Sequence, residues 1–415
     1  MPAFVSMLLA ALAVSGSVGQ EEYRQRRAKL RQALPNALIV LKAAEDLSWD
    51  PRNQLLAEPN FFYLTGWSEP GAVLMILPES SQPSEILFLP PRNERKERYE
   101  GRRAAPADPQ VEKHTGFSAV LNADLWEAEL RRHAGLVEKI YSVSHNGAME
   151  EVKRVLGSRE VWDAGPAIAR LRMVKSPAEV ALLERAIQVS IEGHLAAWKR
   201  ARAGLHEFQL SASITSVFLE RGCERHAYRP VIASGPNSVI LHYGWIRRRM
   251  DKGDLLLMDV GAECGSYAAD ITRTIPVSGR FSARQRELYG IVLGAQKAAI
   301  AAARPGQTLG SGGTLTQIAK QYMDSHGKDA KGEGLGKYFI HGIGHHVGLE
   351  VHDAWTPGEP LAPGMVITIE PGLYLPGEGI GIRIEDMVLI TENGAKLLSG
   401  ALPREASEIE KRLLK

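Results

Sequence analysis

Two short segments, Asp254 to Pro276 and Met365 to Ile390, constrain this 415-residue chain more than any other feature, because each reads as an apolar β-hairpin interrupted by two carboxylates. Both are rich in β-branched and aliphatic residues, and both turn through glycine. With the first turn at Cys264-Gly265, Asp259 falls directly opposite Asp270. Like charges facing each other across a ladder destabilise it, so a bound cation is the economical reading; the alternative is another turn register with both acids on a solvated face. In the second segment Glu370 follows Val366-Ile367-Thr368-Ile369, and Glu385 closes Ile382-Arg383-Ile384-Glu385. A lone acid there is explained as an edge residue or as a partner of Arg383. Four acids in two such contexts make a costly cluster of negative charge unless metal accompanies them.

A fifth element is the glycine-broken run His341-Gly342-Ile343-Gly344-His345-His346, which continues to His352-Asp353. Glycines let a backbone pass close to a site. Any one of these histidines reads as an ordinary structural residue, whereas the cluster points to metal binding or catalysis. His242, in Ile240-Leu241-His242-Tyr243, taken alone reads as a buried hydrogen-bonded histidine.

Around these elements the chain divides in two, as its length leads one to expect. From about Glu21 to Val161, short apolar runs (Ala37 to Leu41, Ala72 to Leu77, Ile86 to Leu89) alternate with charged helix-like segments, which predicts a small α/β domain. Ser176-Pro177-Ala178-Glu179 is a capping box with proline at the first helical position, and it predicts a long helix running to near Gly204. Ser282 to Gln285 repeats the pattern ahead of a helix stopped by Pro305-Gly306. The expected layout is a leader over 1–19, an N-terminal domain over 20–161 and a catalytic domain over 172–415.

The leader rests on the apolar stretch Ala3 to Val14, broken only by Ser6, with Ser17 and Gly19 before a cut at Gln20. No Lys or Arg precedes Arg24. The expectation is a periplasmic or secreted protein, the alternative a cytoplasmic one. No other stretch is apolar enough to span a membrane. Fifty basic residues balance 48 acidic ones, and none of the basic residues forms a long run, which argues against a nucleic-acid partner. The two cysteines, Cys223 and Cys264, are too few for a disulfide framework and lack the paired spacing of a zinc site.

Taken together, Met258-Asp259-Val260-Gly261, Ala269 to Thr274, His341 to Asp353, Thr368-Ile369-Glu370-Pro371-Gly372 and Gly381 to Asp386 resemble the motifs of the pita-bread metallopeptidases, specifically the aminopeptidase P and prolidase group. The N-terminal stretches Asn60 to Gly66 and Arg92 to Arg103 are similar to aminopeptidase P. Two departures concern the outer substrate pocket: Tyr99 stands where the family usually has Trp, and Leu56-Ala57-Glu58 replaces a polar stretch containing Arg.

The resemblance implies an α+β fold with a pita-bread catalytic domain behind the smaller N-terminal domain. It also implies two divalent ions held by Asp259, Asp270, His345, Glu370 and Glu385, with Asp270 and Glu385 bridging them. An oxygen-rich donor set of this kind suits manganese, with cobalt or zinc as alternatives. The implied reaction is hydrolysis of the Xaa-Pro bond at the N-terminus of peptides, with prolidase action on Xaa-Pro dipeptides, or a non-catalytic use of the cleft, as alternatives. Glu370 would also shuttle the proton. His242, His341 and His352 would orient the substrate and stabilise the oxyanion, and Tyr374 and Arg383 would contact substrate more weakly. Homodimers or homotetramers are the implied assemblies.

Overall fold

The computed structural model describes residues 18–45, 57–144 and 147–414. The predicted leader falls outside them except for Val18 and Gly19. No helix among the described residues is long and apolar enough to cross a membrane.

The N-terminal half is built on strands β1 (Ala37–Lys42), β2 (Val73–Ile76), β3 (Glu85–Leu89), β4 (Val120–Asn122), β5 (Lys139–Ser142) and β6 (Trp162–Asp163). They form one mixed sheet in the order β4-β3-β2-β1-β5-β6. Its central strands are buried on both faces. Ile39 and Leu41 point into one apolar cluster, and Leu38 and Val40 into another. That is why the sequence shows unbroken apolar runs and no alternation. The covering helices are α1 (Gln20–Ala33), α2 (Pro59–Thr65), α3 (Glu94–Glu100), α4 (Val111–Thr115), α5 (Trp126–Ala134), α6 (Ala148–Leu156) and α7 (Gly165–Met173).

The second half opens with α8 (Pro177–Arg200), which ends four residues before Gly204. Both arms of its capping box form: the Ser176 hydroxyl accepts from the Glu179 N–H at 3.2 Å, and the Glu179 carboxylate accepts from the Ser176 N–H at 2.9 Å. After α9 (Glu207–Glu220) come strands β7 (Arg225–His226), β8 (Val231–Ser234), β9 (Leu255–Asp259), β10 (Ala262–Cys264), β11 (Tyr267–Ala268) and β12 (Thr272–Pro276). Helix α10 (Ala283–Ala302) carries the second capping box. It is followed by α11 (Thr314–His326), β13 (Val366–Ile369), β14 (Gly372–Leu375), β15 (Ile380–Arg383), β16 (Asp386–Thr391), β17 (Gly394–Leu397) and α12 (Ala406–Leu413). The strands pair as β12-β9-β8, β11-β10-β7, β13-β16-β17 and β14-β15.

The first hairpin departs from the expected register by two residues. Its turn is Gly265-Ser266, both with positive φ (60° and 66°), which suits a tight two-residue hairpin loop. Asp259 therefore faces Thr272, not Asp270. A shift of two preserves which face each side chain occupies, so both aspartates still point the same way. The hairpin is broken at Gly261, where a Cβ would come within 1.7 Å of the Ala269 carbonyl oxygen. Helix α8 takes up the backbone groups around the break: the Ser190 hydroxyl accepts from the Ala262 N–H at 2.8 Å, and His194 Nε2–H donates to the Ile271 carbonyl at 3.0 Å.

The two cysteines pair. Cys223, just beyond α9, is bonded to Cys264 at the end of β10. Closing a loop of this length stabilises the fold by about 4 kcal/mol, mainly through the unfolded chain.

Candidate active site

The second hairpin shows how one strand pair delivers two acids to a single point. Ile369 pairs with Asp386 and Gly372 with Arg383, so Glu370 and Glu385 lie opposite each other in the register between them. Neither bonds across the ladder there. The Glu370 N–H goes to the Ile343 carbonyl at 2.8 Å, and the Glu385 N–H to the Thr272 carbonyl at 3.0 Å. Each strand leaves its partner at the acid and binds a third element, which draws the histidine run and β12 to the same place.

The histidine run continues this pairing along β13. The Thr368 N–H donates to the His345 carbonyl at 2.9 Å and the Val347 N–H to the Val366 carbonyl at 3.1 Å. Gly344 is obligatory for that approach, since a Cβ there would stand 2.0 Å from the Thr368 carbonyl oxygen. His345 Nδ1–H donates to the His346 carbonyl at 3.0 Å, which leaves Nε2 with its lone pair towards the acids.

Nε2 of His345 lies 3.4 Å from Asp270 Oδ2 and 3.7 Å from Glu370 Oε1. One ligand atom from each of Asp270, His345 and Glu385 falls within 4.8 Å of the other two, a spacing that one divalent ion could satisfy. Asp259 joins through Tyr228, whose hydroxyl lies 2.6 Å from Asp259 Oδ1 and 2.6 Å from Asp270 Oδ1. The five residues expected to hold metal are thus together.

Their electrostatics show the cost of that convergence without cations. Asp270 and Glu385 are 6% and 1% exposed. Burial first, and then the charge of Asp259 on Asp270 and of Asp270 on Glu385, pushes both carboxyls well above the usual range. Glu370 is pushed up to about 8 by burial and then by Glu385. Burial acts most strongly on Asp259, but the Arg383 guanidinium, 2.5 Å from its Oδ2, together with hydrogen bonds with Tyr228 and Asp270, outweighs it and holds the group below its ordinary value. Divalent ions would relieve the remaining repulsion, and the donor set fits them.

Of the other expected residues, His242, His341, His352 and Arg383 line a cavity of about 640 Å³ that opens onto the cluster. The His352 ring packs edge-on against His345 with centroids 4.2 Å apart. Burial and then the neighbouring His345 lower the His352 pKa to about 4. His341 is held at both nitrogens: Nδ1–H donates to the Gly342 carbonyl at 2.8 Å, and Nε2 accepts from the Tyr374 hydroxyl at 2.9 Å. Arg383 in turn donates to Tyr374 at 2.9 Å. Tyr374 and Arg383, expected at the substrate, are bonded here to His341 and Asp259, and Arg383 also lines the cavity.

Sequence reasoning missed three features. Tyr228 sits in Ala227-Tyr228-Arg229-Pro230, which has no periodicity to mark it. Thr272, whose hydroxyl donates to Glu385 Oε2 at 2.7 Å, was within reach, because two residues beyond Asp270 on a strand is the same face. The third is a buried ion cluster in which Asp353, closing the histidine segment, is paired with both Arg172 and Lys175. Replacing Asp353 by Ala takes away the carboxylate shared by two buried cations, leaving Arg172 with Glu350 and Lys175 with no carboxylate among the described residues, and is expected to destabilise the protein by ~3–5 kcal/mol, read as a lowered unfolding midpoint in denaturant. The two cations outweigh burial and hold the Asp353 pKa below its ordinary value. The stabilisation is therefore complete above the unfolded pKa, about 4, and disappears as pH falls through the folded one. The gap between wild type and variant is expected to narrow on acidification; a gap that widens would remove the ion cluster as its cause.

Fold and site together define a metallopeptidase of the pita-bread class. Residues 181–392 match the description "Metallopeptidase family M24" and residues 23–141 match "Aminopeptidase P, N-terminal domain". The chain belongs to metallopeptidase family M24, within its aminopeptidase P and prolidase group. It is 34% identical to the Xaa-Pro aminopeptidase of Haemophilus influenzae, over 96% of this chain and 98% of that protein. It is 40% identical to the Xaa-Pro dipeptidase of Pyrococcus furiosus, over 60% of this chain and 70% of that protein. Aminopeptidase P from E. coli, solved with the inhibitor Pro-Leu, superposes with a TM-score of 0.86 at 30% identity, over 96% of this chain and 99% of that one.

Proposed function

We propose that this enzyme is an Xaa-Pro aminopeptidase that uses two divalent ions, manganese by preference, held by Asp259, Asp270, His345, Glu370 and Glu385. The observation that carries the reading is the convergence of three buried acids, the half-buried Glu370 and one imidazole lone pair at the floor of an open cavity. Bound there, the ions would lower the pKa of a shared water from about 15.7 towards 7 and so supply hydroxide at neutral pH.

In this reading the protein's own residues supply the rest of the chemistry. Glu370, facing both the cluster and the cavity, takes the proton of the attacking water and delivers it to the departing proline nitrogen. His242 and His352 offer ring N–H groups to the oxyanion from the cavity wall. His341 has no N–H to spare for that task, and it fixes the approach to Glu370, whose Oε2 is 4.0 Å from its Nδ1. Proline needs a dedicated site because the Xaa-Pro bond is a tertiary amide without the N–H that extended-chain proteases bind.

Likeness to a dipeptidase keeps prolidase action as the second reading. Purified protein loaded with manganese, checked by elemental analysis, and offered Ala-Pro and Ala-Pro-Ala separates the two. Free alanine released from the tripeptide is the expected result. Cleavage of the dipeptide alone makes the enzyme a prolidase, and a fully metal-loaded protein that cleaves neither overturns the proposal.

A further inference from the structure

The wall of the cavity carries a positive charge that the proposed chemistry does not use. Arg229 follows Tyr228, the residue that touches both Asp259 and Asp270, and its side chain lines the same cavity as the acid cluster. One of its terminal nitrogens donates to the Gly244 carbonyl at 2.5 Å. Gly244 makes room for it, since a Cβ there would lie 2.6 Å from the guanidinium carbon. The guanidinium is thus seated over a backbone carbonyl, and among the described residues no carboxylate pairs with it.

The neighbouring loop has the same sign. Trp245 is 70% exposed, and the Arg247 guanidinium lies 6.0 Å from its ring centroid. Arg247 and Arg249 are exposed, whereas Arg248 between them is already paired with Asp251 and Asp254. A cavity whose floor would be neutralised by two divalent ions therefore keeps the guanidinium of Arg229 in its wall, with two further exposed arginines on the loop after Gly244. Arginine offers a planar fork of N–H donors that matches a carboxylate, and further positive charge on the adjoining loop raises the local concentration of anionic ligands.

We infer that Arg229 is a specificity-determining residue that recognises a carboxylate of the peptide substrate. The inference rests on the peptidase reading above. The carboxylate comes from one of two sources: an acidic side chain on the residue released, or the free C-terminus of a short peptide. In either case one or two charge-assisted hydrogen bonds form in a partly open cavity, so the selectivity is on the order of tenfold.

Two substrate pairs test this and distinguish the sources. Asp-Pro-Ala-amide against Asn-Pro-Ala-amide varies charge at the first residue, and Ala-Pro-Ala against its amide varies charge at the C-terminus. The readout is the ratio of kcat/KM within each pair, in the wild type and in Arg229→Gln and Arg229→Lys. In at least one pair the wild type is expected to favour the acid, Arg229→Gln to lower that ratio about tenfold and Arg229→Lys to keep part of it, since the charge survives but the fork does not. Raising the salt concentration should erode the wild-type ratio. Equal ratios in wild type and Arg229→Gln for both pairs would overturn the assignment. If the wild type cleaves none of these peptides, the peptidase reading fails separately, and calorimetric binding of the same pairs to the metal-loaded protein still decides the role of Arg229.

Discussion

Replacing Asp270 or Glu385 by alanine is expected to lower turnover by roughly 10³-fold or more, because each would hold both ions and the Lewis-acid contribution to the transition state is several kcal/mol. Bound metal, measured by elemental analysis on the same preparation, should fall with it. The thermal behaviour carries an independent signature. Both carboxyls are buried against like charge, so the metal-free variant should unfold no earlier than the metal-free wild type, while added manganese should raise the wild-type midpoint far more than the variant's. An acid that serves only the fold would reverse that order. Full metal occupancy in either variant would remove the residue from the proposed ligand set.

His242→Ala and His352→Ala are expected to leave metal content near normal and to lower the single-turnover rate by a factor on the order of 10² to 10³, the usual loss when one donor to a developing oxyanion is removed. The structure supports a position at the substrate: both side chains line the cavity, and His352 touches the face of the cluster through the His345 ring. The loss should fall mainly on the chemical step, because a donor aimed at the transition state adds little to ground-state binding. A histidine with only a structural role would lower the melting temperature first, with the folded fraction turning over normally. Wild-type single-turnover rates in both variants would leave the oxyanion to other groups.

How much of this was legible in the sequence depends on which interactions are local. The capping boxes at Ser176 and Ser282 are set by residues three apart, and both form as read. The shared face of Asp259 and Asp270 follows from strand parity, which a two-residue error in the turn leaves intact. That turn was misplaced because Ser266 takes a positive φ usually left to glycine or asparagine. What sequence could not supply were contacts made across distant segments: Tyr228 reaching over 31 and 42 positions to two aspartates, and the Glu370 and Glu385 backbones leaving each other for Ile343 and Thr272. The engagement of both His341 nitrogens likewise depends on Tyr374 and Gly342, and it changes what that histidine can do.

The ion cluster at Asp353 also bears on whether the hydrolytic half could exist by itself. Arg172 lies in the last turn of α7, and besides Asp353 it donates to Glu350 Oε2 and to the side chain of Asn60 on α2, each at 2.8 Å. Lys175 sits in the three residues between α7 and α8. The counter-charges of the segment carrying His345 and His352 therefore come from the connector and from the body that precedes it. A chain trimmed back to the 181–392 core would keep all four acids and the imidazole of the centre, yet it would bury Asp353 with neither cation beside it. The smaller body is in this sense a structural cofactor of the larger one, reaching its chemistry through the guanidinium of Arg172.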